Sequence, residues 1–136
     1  MLRIPKSIII GAVLMILLGL ARGIGGLVLF IQGTNTLPDI IASENVIRIL
    51  AIGLISIGLL EIISAIGVFR LRHAFRRLGI AVTVAFVIDG AINGYFLFGK
   101  PGDLGTIVNS IVAIVIISCL FIGRGAFGNS RSQDGK

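Results

Sequence analysis

Four almost wholly apolar stretches, Ser7–Ile31, Val46–Phe69, Leu78–Phe98 and Leu104–Ile122, run for 25, 24, 21 and 19 residues in a chain of 136. A hydrocarbon layer of about 30 Å is crossed by about 20 helical residues at about 1.5 Å each. Inside that layer every backbone N–H and C=O must be satisfied within the protein, which a helix achieves alone. The runs are rich in Ile, Leu and Val and lack the alternation of transmembrane β-barrel strands. The expected fold is therefore all-α: a polytopic four-transmembrane-helix bundle forming a single domain over residues 1–122. Composition agrees, since 56% hydrophobic and 13% charged residues depart from soluble usage.

The connections carry turn chemistry. Gln32–Asn45 contains Gly33, Asn35, Pro38 and Asp39, with Ser43 placed to cap the second helix and Glu44 to complement its positive end. Gly99-Lys100-Pro101-Gly102-Asp103 reads as a tight turn. Gly123–Lys136 mixes glycines with Arg124, Asn129, Ser130, Arg131 and Asp134 and is expected to be a disordered tail, having little apolar surface to bury.

Arg3 and Lys6, then Arg70, Arg72, Arg76 and Arg77, then Arg124, Arg131 and Lys136 all fall on one side of a four-span topology. The other side has Lys100 and Arg48, with Asp39 and Glu44 in its longest loop. The positive-inside rule makes the nine-charge side cytoplasmic, hence N-in/C-in. The net charge of +6 then needs no nucleic acid as partner. Arg70, Arg72, Arg76 and Arg77 adjoin two spans and are expected to contact anionic lipid headgroups. Arg3 and Lys6 followed by an apolar run ending at Gly19-Leu20-Ala21 also resemble a cleavable secretory signal. The run continues through Ile24–Ile31, so retention as a first helix is the expectation, and cleavage would leave three helices.

Catalytic, metal and cofactor chemistry finds no purchase in the sequence. The single Cys119 has no partner and no metal-type spacing, and the single His73 sits among arginines far from any candidate nucleophile. No phosphate loop or dinucleotide fingerprint occurs, since the glycines lie inside apolar runs. The chain is read as no enzyme and as binding no cofactor.

Ionisable groups inside the spans carry the information. Arg22, Glu61 and Asp89 each cost at least about 2.5–3.5 kcal/mol to insert at a helix centre, so they should face inward and pair. Arg22 and Asp89 both lie nine residues from the outer ends of their spans, about 13–14 Å deep, and are expected to meet. Glu61 lies about 22 Å from the outer face, nearer the cytoplasm. It could be a neutral carboxyl among Ser64, Thr83 and Ser118, since a low dielectric disfavours the charged form. Asn93 follows Asp89 by one turn, Asn109 matches its depth on the fourth helix, and Ser56 comes near Arg22 and Asp89. Arg22, Ser56, Asp89, Asn93 and Asn109 thus form an expected polar seam across all four helices. Gly19 with Gly23, and Gly90 with Gly94, are small-xxx-small pairs that allow close helix approach.

No long internal repeat appears, and the charge bias opposes dual insertion, which sets the chain apart from small multidrug-resistance transporters and fluoride channels. Gly58-Leu59-Leu60-Glu61, the stretch Gly67–Gly79 with its arginines and Phe75, then Asp89-Gly90-Ala91 and Val108-Asn109, resemble predicted four-span membrane protein families of unknown function. The resemblance covers about residues 50–122, departs in having Phe75 where tryptophan is common, and implies the four-span fold without an activity.

The functional expectation is a non-catalytic accessory, assembly or lipid-associating subunit in a cell membrane. Short loops and a lone cysteine suit a prokaryotic plasma membrane. The alternative is a small homo-oligomeric transporter or channel in which Arg22, Asp89, Asn93 and Asn109 face water. Partners are the lipid bilayer and either copies of the chain or other membrane subunits.

Overall fold

The computed structural model describes residues 3–35, 40–100, 102 and 104–127. Among them lie four helices and no strand: α1 (Lys6–Gln32), α2 (Glu44–Phe69), α3 (His73–Phe98) and α4 (Leu104–Ile122). Each is long and apolar enough to cross a membrane.

α3 begins at His73, five residues ahead of the expected start at Leu78. The arginine-rich segment is thus the first turn of a helix, because alanine and arginine propagate a helix well. What remains of the connection is Arg70, Leu71 and Arg72. Leu71 turns the chain from the left-handed region at φ 53. Its N–H donates to Val68 O at 2.9 Å, and that of Arg72 to Gly67 O at 3.2 Å. The left-handed conformation costs an L-residue about 1–2 kcal/mol. Burying the Leu71 side chain, which is 7% exposed, contributes about 1.5–3 kcal/mol and offsets it.

Ser43 does occupy the N-cap of α2, but its side chain makes no capping hydrogen bond. Glu44 instead pairs with Arg48 one turn on, at 2.8 Å. α3 ends at Gly99, whose φ of 70 lets its N–H reach Tyr95 O at 2.9 Å. The expectations for Pro38, Asp39, Pro101 and Asp103 lie outside the described residues.

The helices form a square: α1 packs on α2 and α4, and α3 packs on the same two, leaving α1 and α3 on a diagonal. Buried positions on α2 include Ile47, Ala51, Leu54, Gly58, Glu61, Ala65 and Val68, alternating steps of four and three. α1 follows the same rhythm through Ile8, Ala12, Met15, Gly19, Gly26 and Leu29. That 3.5-residue period is the seam of left-handed, near-antiparallel packing. Two apolar clusters cap the bundle. Ile8, Val68, Leu71, Leu120 and Phe127 belong to one, Leu29, Ile47, Leu54 and Leu97 to the other.

Glycine sets the α1–α2 distance. A Cβ on Gly58 would stand 2.6 Å from Gly19 O and 2.8 Å from Gly23 N, so the two backbones are in direct contact there. The Gly19/Gly23 pair therefore meets a third glycine on the facing helix.

The expected disordered tail is corrected at its start. Gly123–Phe127 form a 3₁₀ turn, and Phe127 is 2% exposed within the cluster of Ile8 and Leu71. Gly123 fits only because it lacks a Cβ, which would collide with Ile8. One aromatic ring among glycines is enough apolar area to seat the turn. Residues 128–136, including Asn129, Ser130, Arg131, Asp134 and Lys136, lie outside the described residues.

Candidate intramembrane polar site

The heptad stripe of α1 passes through residue 22, between Gly19 and Gly26, and so directs Arg22 into the square. On α3 the stripe runs Gly79, Thr83, Phe86, then Asn93 and Leu97, and Asp89 falls three residues after Phe86 on the same side. Arg22 and Asp89 consequently meet across the diagonal, with Nη1 3.7 Å from Oδ2 and both side chains 14% exposed. The guanidinium lies over the Phe86 ring, its Cζ 4.2 Å from the centroid. Gly90 makes room for it, since a Cβ there would stand 2.8 Å from Nη2. Gly53 of α2 lines the other side, its Cβ position 3.7 Å from Asp89 Oδ1.

Asn93 is buried, and its amide donates from Nδ2 to the backbone O of Asp89 at 2.7 Å. This holds Asn93 back along its own helix, so it does not bridge to α4. Asn109 is half-buried on α4 and makes no hydrogen bond to this group among the described residues.

Ser56 does not join the seam. It is exposed, and its hydroxyl donates to Ile52 O on its own helix at 2.8 Å. Equal depth along the axis says nothing of rotation about it. Ser56 is two residues from both Leu54 and Gly58, about 200° round the helix from the buried stripe.

Glu61 occupies the stripe of α2 and is completely buried, as are Ser64 and Thr83. Thr83 Oγ1 donates to Glu61 Oε1 at 3.3 Å. Ser118, expected in the same group, is exposed. Glu61 thus forms a second polar site, between α2 and α3.

Several buried polar atoms have no hydrogen-bond partner among the described residues: Arg22 Nη2, Asp89 Oδ2 and Asn93 Oδ1 in the first site, Glu61 Oε2 and Ser64 Oγ in the second. The first site therefore combines a cation, an anion and a free amide oxygen at one level of the bundle. Such a group can lock two helices by charge attraction or can hydrogen-bond a small polar guest.

The four arginines at the α2–α3 end separate into different environments. Arg70 and Arg72 are exposed at the connection, and Arg77 is exposed on α3. Arg76 is half-buried with its Cζ 5.8 Å from the Phe127 ring. Phe86 and Phe127, the two aromatic partners of arginine, were not foreseen. The 3.5-residue period would have found Phe86, and the steps Ile116, Leu120, Gly123, Phe127 continue it from α4 into the turn.

Compared with protein-family models, with curated proteins and with solved structures, the chain matches none.

Proposed function

We infer that this chain is a non-catalytic multi-pass protein of a prokaryotic plasma membrane, with both termini cytoplasmic, serving as an accessory, assembly or lipid-associating subunit. The observation that carries this reading is the closure of the Arg22–Asp89 pair within one chain, across the diagonal and against Phe86. A charge pair closed within its own bundle is a packing clamp, which fixes the register of α1 against α3. The outward faces are left to lipid or to neighbouring helices, as with Leu17, Ile24, Ile49, Ile111 and Ile114, each at least 57% exposed. The orientation is supported by the basic end, where Arg3, Lys6, Arg70, Arg72, Arg77 and Arg124 are all exposed.

A second reading, a small oligomeric transporter, is favoured by the unpartnered atoms of Arg22, Asp89 and Asn93. Cysteine accessibility separates the two. With Cys119→Ser as background, Asn93→Cys and Asn109→Cys are exposed to a membrane-impermeant maleimide on intact cells, with Ile41→Cys as the outer-loop control. The clamp reading expects labelling of the control alone. Rapid labelling at residue 93 would reveal a water-filled path and overturn the clamp.

A further inference from the structure

The α2–α3 connection holds a non-glycine residue in the left-handed region, Leu71, whose buried side chain anchors the turn. Because Leu71 points into the core, its neighbours Arg70 and Arg72 are exposed on either side of it. Strain of this kind persists where the surroundings hold it, and here it fixes two guanidinium-bearing residues beside each other.

Beside them runs a groove of about 220 Å³ lined by Ile63, Ile66, Gly67, Phe75, Arg70 and Arg72. The Phe75 ring lies against Gly67, where any Cβ would collide with it, and so forms one wall. Ile63 and Ile66 are 50% and 48% exposed, on the surface that lipid would cover. From Ile63 to Arg70 is seven residues, so the groove reaches about 10 Å from the charged end into the apolar layer. Among the described residues neither Arg70 nor Arg72 has an acidic partner. Arg76 differs, being stacked near Phe127.

An occupant that matches this surface is anionic at one end and aliphatic along its length. We propose that the groove binds one anionic phospholipid, its phosphate held by Arg70 and Arg72 and an acyl chain lying along Ile63, Ile66 and Phe75. Arginine suits the role because its planar fork meets phosphate oxygens in pairs. The proposal rests on the lipid-associating reading above and narrows it from a basic surface to a single groove.

Native mass spectrometry of the detergent-purified full chain, titrated with phosphatidylglycerol or phosphatidylcholine, tests it. Arg70→Gln with Arg72→Gln weakens phosphatidylglycerol binding roughly thirtyfold, from the usual attraction of two arginines at an anionic leaflet. Arg76→Gln with Arg77→Gln changes it less than about threefold. Ile66→Trp fills the groove, keeps every arginine and weakens lipid binding, whereas a site for free phosphate would ignore it. Arg70→Lys with Arg72→Lys retains the charge and part of the affinity, which answers for folding if the glutamine pair is unstable. Equal losses from the two glutamine pairs, or no effect of Ile66→Trp, would overturn the groove while leaving a general lipid-facing basic surface. No loss from any pair would sink both.

Discussion

Removing either member of the Arg22–Asp89 pair should destabilise the bundle far more than removing both. At 3.7 Å, unit charges attract by about 4 kcal/mol at an effective dielectric near 20, against about 1 kcal/mol in water. Side chains 14% exposed are closer to the first value than to the second. Asp89→Leu leaves a guanidinium buried without a counter-ion, which costs about 3–5 kcal/mol. Arg22→Met leaves the carboxylate and also loses the Phe86 stacking, about 2 kcal/mol for a desolvated cation over a ring. The double variant keeps only that stacking loss of about 2 kcal/mol, so the two single costs, about 3–5 and about 5–7 kcal/mol, sum to well above it. The opposing consideration is that hydrogen bonds between transmembrane helices average only about 0.6 kcal/mol, because the unfolded chain in a micelle finds other partners. Burial decides here, since a micelle gives a lone charge access to water that the folded bundle denies. Unfolding by sodium dodecyl sulfate in mixed micelles, followed by circular dichroism, supplies all four corners of the cycle. Single costs that add to within about 0.5 kcal/mol would refute the clamp.

Two further outcomes follow from the packing. Gly58→Ala drives a methyl to within 2.6 Å of Gly19 O and should cost about 1–3 kcal/mol in detergent thermal melts, whereas Gly23→Ala, with open space at its Cβ, should be neutral or gain up to about 1 kcal/mol in helix propensity. Phe127→Ala empties a buried site at the basic end and should cost about 3 kcal/mol, freeing the Gly123–Phe127 turn so that trypsin cleaves at Arg124 faster than in the parent.

The four helices were legible before any coordinates because runs of 19–25 apolar residues have one economical solution in a bilayer, and the ends came within two residues except where arginines continued the helix. The Arg22–Asp89 meeting was legible too, since equal depth on two helices is a matter of counting rise per residue. Depth is only one coordinate. Ser56, placed by the same counting, has the wrong rotation, and Asn109 makes no hydrogen bond to the group. Phe127 was hidden because the step that leads to it from Ile116 and Leu120 passes through Gly123, beyond the apolar run that marks α4.

Local chemistry and length thus determined the all-helical class, the four elements, and the charged residues that had to face inward. The tertiary structure alone decided which faces met. It set α1 and α3 on a diagonal, brought Gly19, Gly23 and Gly58 into backbone contact, and seated Phe127 beneath the basic end. The reason is physical: crossing a membrane is a property of each segment alone, whereas rotation about a helix axis is settled only by the shape of the neighbours it packs against.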